Sequence, residues 1–222
     1  MKLLALDAAA GACSVALWRD GAVLAHRYCV RARGHAEVLV PMVEEVMAAA
    51  GLAYAELDGF AVTRGPGTFT GIRIGLACAR GLALAAHLPL VGLTTLEVLA
   101  AGVPDALAEG AVLAALEARR GEVYAQAFGP GLVPLSEPAA LLPEVALALV
   151  ADRDAALTGD AAPRLARLLA RPDLVVPGDG QPDARVLARL AAARPLPAPG
   201  VAVAPLYLRP PDARKLSEST RC

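Results

Sequence analysis

The stretch Leu57-Asp58-Gly59-Phe60-Ala61-Val62-Thr63-Arg64-Gly65-Pro66-Gly67-Thr68-Phe69-Thr70-Gly71-Ile72-Arg73-Ile74-Gly75-Leu76, continued to residue 93, decides the fold. Residues 57–63 are short, apolar and partly β-branched or aromatic, which predicts a buried strand. Gly65, Pro66, Gly67 and Gly71 punctuate the next segment, and Thr68 and Thr70 are both candidate N-caps. Residues 71–87 are rich in Ala and Leu, lack proline and stop before Pro89, so they predict a helix. Residues 89–93 make a second short strand. Strand, glycine loop, helix, strand is the βαβ unit of a parallel sheet. A glycine loop opening a helix either receives an anion or is a plain tight turn. No Gly-Lys-Ser/Thr follows this one, and Gly65-Pro66-Gly67 is not the dinucleotide fingerprint.

Upstream, residues 2–7 form a nearly all-apolar strand, the pattern of one buried on both faces. Residues 13–19 and 22–30 flank Asp20-Gly21, a hairpin signal. Counted from that turn, Cys13 would stand opposite Tyr28, with the Cys13 and Cys29 thiols on opposite sides of the sheet. A helix follows from about His35 to Ala50, closed by Gly51, with an expected kink or break near Leu39 because Pro41 lies inside it. Its apolar residues Val38, Leu39, Met42, Val43, Val46 and Met47 recur as adjacent pairs, a stripe wider than packing on a sheet requires. That stripe is either all core or half core and half contact with another chain. Gly71, Gly75 and Ala79 form a smooth ridge on the next helix, open to the same two readings.

Downstream, Thr94-Thr95-Leu96-Glu97 predicts a capped helix closing near Gly102. The first half thus reads βββαβα. Residues 111–118 and 122–128 restart the strand theme around the Arg119-Arg120-Gly121 turn. Beyond these, helices are expected at 139–151, 163–170 and 183–193, short strands near 155–158 and 174–176, and an extended segment or strand at 201–208. The expected fold class is α/β with a mixed α+β order, organised as a subdomain 1–104, a degenerate subdomain 105–209 and a flexible tail 210–222.

Hydrophobic residues reach 56% of the 222-residue chain while aromatics are only 4%, so a large aliphatic core is available with apolar surface to spare. A net charge of −1 is not the footprint of a protein that grips nucleic acid alone. Asp7 ends the first apolar run too early for a signal peptide, and Arg73, Arg80 and prolines interrupt the later ones, so no membrane span is expected. The four cysteines, Cys13, Cys29, Cys78 and Cys222, show no paired spacing, which suits reduced thiols in the cytoplasm.

His26, His35 and His87 lie in no nucleophile motif, and His35 has no His or Cys at helical spacing, so neither a hydrolase triad nor a metal site is expected. Asp7, at the end of the first strand, is the best carboxylate for a cleft residue; its other reading is an ordinary turn residue.

Leu4-Ala5-Leu6-Asp7, followed by Cys13-Ser14-Val15-Ala16-Leu17, resembles the opening of the actin/Hsp70/sugar-kinase superfold, as does a first half followed by a degenerate copy. More specifically, His35-Ala36-Glu37, the run 64–76 and Pro89-Leu90-Val91-Gly92-Leu93 are similar to the TsaB (YeaZ) family of bacterial tRNA threonylcarbamoyladenosine synthesis. The turn 119–124 and Pro205-Leu206-Tyr207-Leu208-Arg209 also fit; the match is close to about residue 100 and patchy afterwards. The resemblance implies two subdomains with mixed sheets flanked by helices. It implies a non-catalytic subunit, without cofactor or metal, of the machinery that places threonylcarbamoyl on the adenosine beside the anticodon of tRNAs reading ANN codons. Its partners would be the catalytic paralogue TsaD, the ATPase TsaE or a second copy of itself, with tRNA met only through the complex. Carried onto this sequence, the contact would use the helices beginning near His35 and at Gly71, through His35, Val38, Leu39, Met42, Val43, Val46, Gly71, Ile72, Gly75, Leu76 and Ala79. Asp7, Arg64, Gly65, Gly67, Thr68 and Thr70 would line a vestigial cleft. Ala8-Ala9-Ala10 follow Asp7 where the family commonly has hydroxyl residues, which removes groups that would orient phosphate or metal-bound water. The alternative is a nucleotide-dependent transferase or hydrolase acting on its own through Asp7 and the 64–71 loop.

Overall fold

A computed structural model describes residues 1–209 of the chain. The tail expected at 210–222 lies outside the described residues. Strand β1 (Lys2–Asp7) is the middle of a five-stranded sheet ordered β3-β2-β1-β4-β5. It pairs antiparallel with β2 (Ala12–Arg19), which pairs antiparallel with β3 (Ala22–Val30). On its other side it runs parallel to β4 (Gly59–Thr63), and β4 to β5 (Leu90–Leu93). Flanked on both edges and covered on both faces, β1 has no polar face to show, which explains Leu3-Leu4-Ala5-Leu6.

Helices α1 (His35–Ala50) and α2 (Phe69–Ala86) cover one face of this sheet. Leu39, Met42, Val43, Val46 and Met47 of α1 join Ile72, Leu76, Ala79 and Ala83 of α2 in one core. The stripe on α1 is wide because the helix packs on β2 and β3 and also against α2, so two apolar neighbours must be satisfied. No break occurs near Leu39: α1 runs unbroken through Pro41. Pro41 is exposed, so the carbonyl it deprives of a helix partner faces water. By length and composition α2 would suffice to cross a membrane, but it lies on the sheet with its Gly71, Ile72, Gly75 and Leu76 face buried.

The hairpin turn is at Asp20-Gly21 as expected, but Leu24 is an extra residue: Trp18 faces Val23 and Leu17 faces Ala25. This bulge shifts the register by one and places Cys13 opposite Cys29, not Tyr28. Both thiols then face α1, and both are free. Arg31 N donates to Gly11 O (2.9 Å), so the Cys13–Cys29 pair two residues along is again a hydrogen-bonded pair of the ladder, the wider of the two spacings.

The first half carries one strand and one helix beyond βββαβα: β5 is followed by α3 (Thr95–Ala101), capped by Thr94, whose Oγ1 accepts from Glu97 N (3.1 Å). The second sheet repeats the plan of the first in reduced form. Its β6 (Ala111–Glu117) pairs antiparallel with β7 (Val123–Gly129) and parallel with β10 (Ala155–Thr158), as β1 does with β2 and β4. Short strands β8 (Val133–Pro134) and β9 (Ala139–Leu141) both pair with β7. The helix expected at 139–151 therefore begins late, as α4 (Pro143–Ala148), because residues 139–141 extend the sheet and Pro143 starts the first turn. Helices α5 (Ala162–Leu168) and α6 (Ala184–Ala192) lie close to where periodicity placed them. Around 174–176 an isolated bridge, Leu157 to Val175, forms, and among the described residues 201–208 form no strand.

The division near residue 104 separates the two sheets, but α6 crosses it. Its Ala184, Leu187, Ala188 and Ala191 pack on Leu3, Ala5, Ala16 and Ala61, covering the face of the first sheet that α1 and α2 leave open, with Trp18 at the margin. The segment after α6 also returns: Val203 joins the α1–α2 core and Leu206 N donates to Arg64 O (2.7 Å). Helix α3 sits between the sheets, packing Leu96, Leu99 and Ala100 on Val112, Ala114 and Leu116. The architecture is a mixed α/β plan of two mixed sheets flanked by helices, the second a shortened copy of the first.

Candidate functional site

Asp7 ends β1 and is fully buried. Its Oδ1 accepts from Thr63 Oγ1, at the end of neighbouring β4, and from Ala9 N (3.3 Å). Its Oδ2 is buried and has no hydrogen-bond partner among the described residues. Burial pushes the carboxyl up to about 7, against the lowering effect of the Thr63 and Ala9 bonds, and the charge of Asp183 adds to the rise. The site therefore holds an acid close to neutrality. The turn reading of Asp7 accounts for one oxygen, through Ala9 N, and leaves the other unexplained.

The glycine loop closes onto the turn after β1. Thr68 N donates to Ala9 O (2.8 Å), and a Cβ at Gly67 would lie 2.1 Å from that same oxygen. A Cβ at Gly71 would lie 2.1 Å from Ala8 O. Glycine is therefore required here by backbone contact between two loops. Helix α2 begins at Phe69, with Thr68 as its N-cap: Thr68 Oγ1 accepts from Gly71 N (3.1 Å), and Thr68 O from Ile72 N (3.0 Å). Three N–H groups that an anion would need are thus taken within the chain, and the loop behaves as a tight turn. Thr70, the other candidate cap, is exposed.

Of the six cleft residues expected from the sequence, Gly67 and Thr68 meet the Asp7 turn. Gly65 and Arg64 meet other segments: a Cβ at Gly65 would lie 2.6 Å from Leu206 O, and Arg64 N donates to Leu93 O (2.9 Å). The eleven expected contact residues lie mostly inward. His35, Leu39, Met42, Val43, Val46, Gly71, Ile72, Gly75, Leu76 and Ala79 are buried in the chain's own core, and Val38 is half-buried. His35 is held there by a bond between Nε2 and Ala10 O (3.0 Å), bracing the turn that receives Thr68.

A second polar cluster joins residues that no local motif connects. Ser14 Oγ lies 3.2 Å from His26 Nε2, and Asp183 Oδ1 lies 3.3 Å from that same nitrogen. A Ser-His-Asp relay needs the acid and the hydroxyl on different ring nitrogens, so this is not one. Ser14 is buried, and its Oγ accepts from Ala184 N (2.9 Å) at the start of α6. Asp183 caps the same helix through Arg185 N (2.7 Å). Although burial raises its pKa, hydrogen bonds from His26 and Arg185 hold the carboxyl well below the usual range. The cluster docks α6 onto the first sheet. Ser14→Ala should strand the buried Ala184 N–H and lower stability by about 1–3 kcal/mol, read from urea unfolding. Nothing in the sequence marks this contact, because its partners are 170 residues apart.

Gln181 links the two halves at the same end: its Oε1 accepts from Gly11 N (2.6 Å), and its side chain also bonds Asp160, after β10. Among the described residues no three His, Cys, Asp or Glu side chains gather as a metal site.

Residues 29–134 match the family model described as TsaD: tRNA N6-adenosine threonylcarbamoyltransferase. The chain is 46% identical over 124 residues to the tRNA threonylcarbamoyladenosine biosynthesis protein TsaB of Escherichia coli (strain K12), an alignment covering 56% of this chain and 53% of that protein. It thus spans about half the length of that relative, as it does of the Haemophilus influenzae protein of the same name (52%). Over nearly its whole length it is 36% identical to the uncharacterized protein Rv3421c of Mycobacterium tuberculosis, covering 98% of this chain and 96% of that one. The solved structure of YeaZ from Pseudomonas aeruginosa superposes with a TM-score of 0.76 at 33% identity, over 93% of this chain and 99% of that one. A second Pseudomonas aeruginosa structure, described as similar to peptidase YeaZ, gives 0.79 at 32%, over 94% and 99%. With the sheet order, the closed glycine loop and a likeness that spans both subdomains, the chain belongs to the TsaB (YeaZ) family.

Proposed function

We propose that the chain is a non-catalytic subunit of the assembly that transfers a threonylcarbamoyl group to the adenosine beside the anticodon of tRNAs reading ANN codons. Its part is to hold a catalytic paralogue of the TsaD type, with a TsaE-type ATPase joining the assembly. The observation that carries this reading is the contact of the two loops over Asp7. Thr68 N, Gly71 N and Ile72 N are taken within the chain and the two loops touch backbone to backbone, which supports reading this region as a rigid frame. That frame presents two adjacent helices whose inner faces are already filled.

A partner can therefore meet only the outer residues of α1 and α2. Half-buried Val38, Ile74, Cys78 and Leu82 lie along these helices, with exposed Ala77 and Gly81 beside them on α2. Small residues let another backbone approach, and the half-buried aliphatic groups supply apolar area. Ala77→Arg adds a long cation at an exposed position where the fold asks for nothing. It should leave the melting temperature unchanged and weaken binding to the purified paralogue at least tenfold by calorimetry. Deletion of the coding sequence with tRNA modification intact would refute the reading, as would magnesium-dependent ATP turnover by the isolated chain.

A further inference from the structure

We propose that Phe69, Arg73 and Tyr207 form an RNA-contacting surface that stacks an unpaired base and places neighbouring phosphates against arginines. The chain has one tryptophan, four tyrosines and three phenylalanines. Of these eight rings only Phe69 (51%) and Tyr207 (41%) are exposed, and they touch each other, with centroids 5.5 Å apart and planes tilted by 32°. The Arg73 guanidinium lies 3.6 Å over the Phe69 ring, and its Nε donates to Tyr207 Oη (3.1 Å). Three planar groups from the start of α2 and the returning C-terminal segment are thereby gathered on one surface.

Anchoring that segment does not require them. Leu206 N already bonds Arg64 O, Arg80 Nη2 donates to Val203 O, and Val203 is in the core. Leaving two large rings half in water costs hydration free energy that a structural tether would not need to spend.

The charge around the rings points to the ligand. Among the described residues Arg73, which lies over one ring and bonds the other, makes no ion pair with a carboxylate. Two residues beyond Tyr207, Arg209 is ion-paired with Glu122 (3.2 Å) and its Nη1 donates to Arg119 O (2.9 Å), bringing the exposed Arg119-Arg120 turn of the second subdomain to the same ribbon. Arginines interleaved with stacked aromatic planes suit single-stranded RNA, where splayed bases stack on rings or guanidinium planes and phosphates meet cations. An acidic protein segment would match the charge but not the planes. With a net charge of −1 the whole chain offers no general grip on polyanions, so binding would be local and weak until a partner adds its own surface. The identity of the RNA as tRNA rests on the function proposed above; the stacking surface does not.

The test uses the full chain, alone and assembled with its paralogue, and a fluorescein-labelled unmodified transcript of a tRNA reading an ANN codon. Fluorescence anisotropy at fixed salt should show Phe69→Ala and Tyr207→Ala each weakening binding by about 5- to 150-fold, the range of one lost stacking platform. Phe69→Leu, which keeps bulk without the π face, should weaken it similarly, and Arg73→Lys should weaken it although charge is kept. Ultraviolet crosslinking should attach RNA to the peptide holding Phe69 or Tyr207. Unchanged affinity in all four variants, or crosslinks only elsewhere, overturns the proposal. So does loss of paralogue association with tRNA binding intact, which would make the surface a protein contact. An assembly that binds tRNA through this surface but never modifies it would sustain the RNA contact and refute the proposed function instead.

Discussion

Gly67→Ala should leave a chain that barely folds. The new Cβ falls 2.1 Å from Ala9 O and 2.9 Å from Ala9 C, both backbone atoms that cannot rotate away. One loop has to retreat, breaking the Thr68 N to Ala9 O bond and disturbing the cap of α2. Overpacking of this kind costs about 1–3 kcal/mol, and a stranded buried backbone pair about as much again. Together these are a large fraction of the stability of a domain this size. Gly71→Ala should behave alike, with Ala8 O at 2.1 Å and Thr68 Oγ1 at 2.5 Å. The internal control is Gly81→Ala on the same helix, where nothing lies within 4 Å of the new atom; it should stabilise by about 0.5–1 kcal/mol. Urea unfolding of the three variants decides: wild-type stability in Gly67→Ala would mean the loops stand apart and the cleft is open.

The second large effect is on the pH dependence of stability. Asp7 titrates near 7 in the folded chain and near 3.8 when unfolded, so the folded state holds its proton longer. The stabilisation from that proton is complete below about pH 4, declines as pH rises through 7, and is gone above about pH 8. A shift of this size corresponds to at most roughly 4 kcal/mol. Asp183 runs the other way: held low by His26 and Arg185, it contributes stability above pH 4 that is lost only in stronger acid. The difference between wild type and Asp7→Asn isolates the Asp7 part. Asn keeps an acceptor for Thr63 and has no proton to lose, so its stability should vary less between pH 5 and 8, and the gap between the proteins should narrow or reverse at the alkaline end. Parallel profiles for the two proteins would show that Asp7 is not the titrating group.

Much of the first half is legible in the sequence because its rules are local. The Asp20-Gly21 turn, the Thr94 cap with Glu97 three residues on, and the proline stop after α2 each announce themselves within a few positions. The Leu24 bulge is not legible: an extra residue in a strand leaves the hydrophobic pattern nearly intact while moving every partner beyond it by one. The width of the α1 stripe is plain from spacing, yet its meaning depends on what else touches the helix; α2 is that neighbour, and it turns a suspected outer contact into core. At the site, Asp7 and the glycine loop are visible as separate features, but their contact depends on β1 and β4 lying side by side. The Ser14–Asp183 cluster and the Phe69–Tyr207 pair span 169 and 138 residues and obey no periodicity, so only the folded chain brings them together.

The return of α6 to the first sheet has a consequence for how the chain is made. While it emerges from the ribosome, Leu3, Ala5, Ala16 and Ala61 have no cover on that side until residues 184–191 have been synthesised. The amino-terminal half must therefore wait, sticky on one flank, through most of translation, and a fragment ending near residue 104 would carry that flank permanently bare.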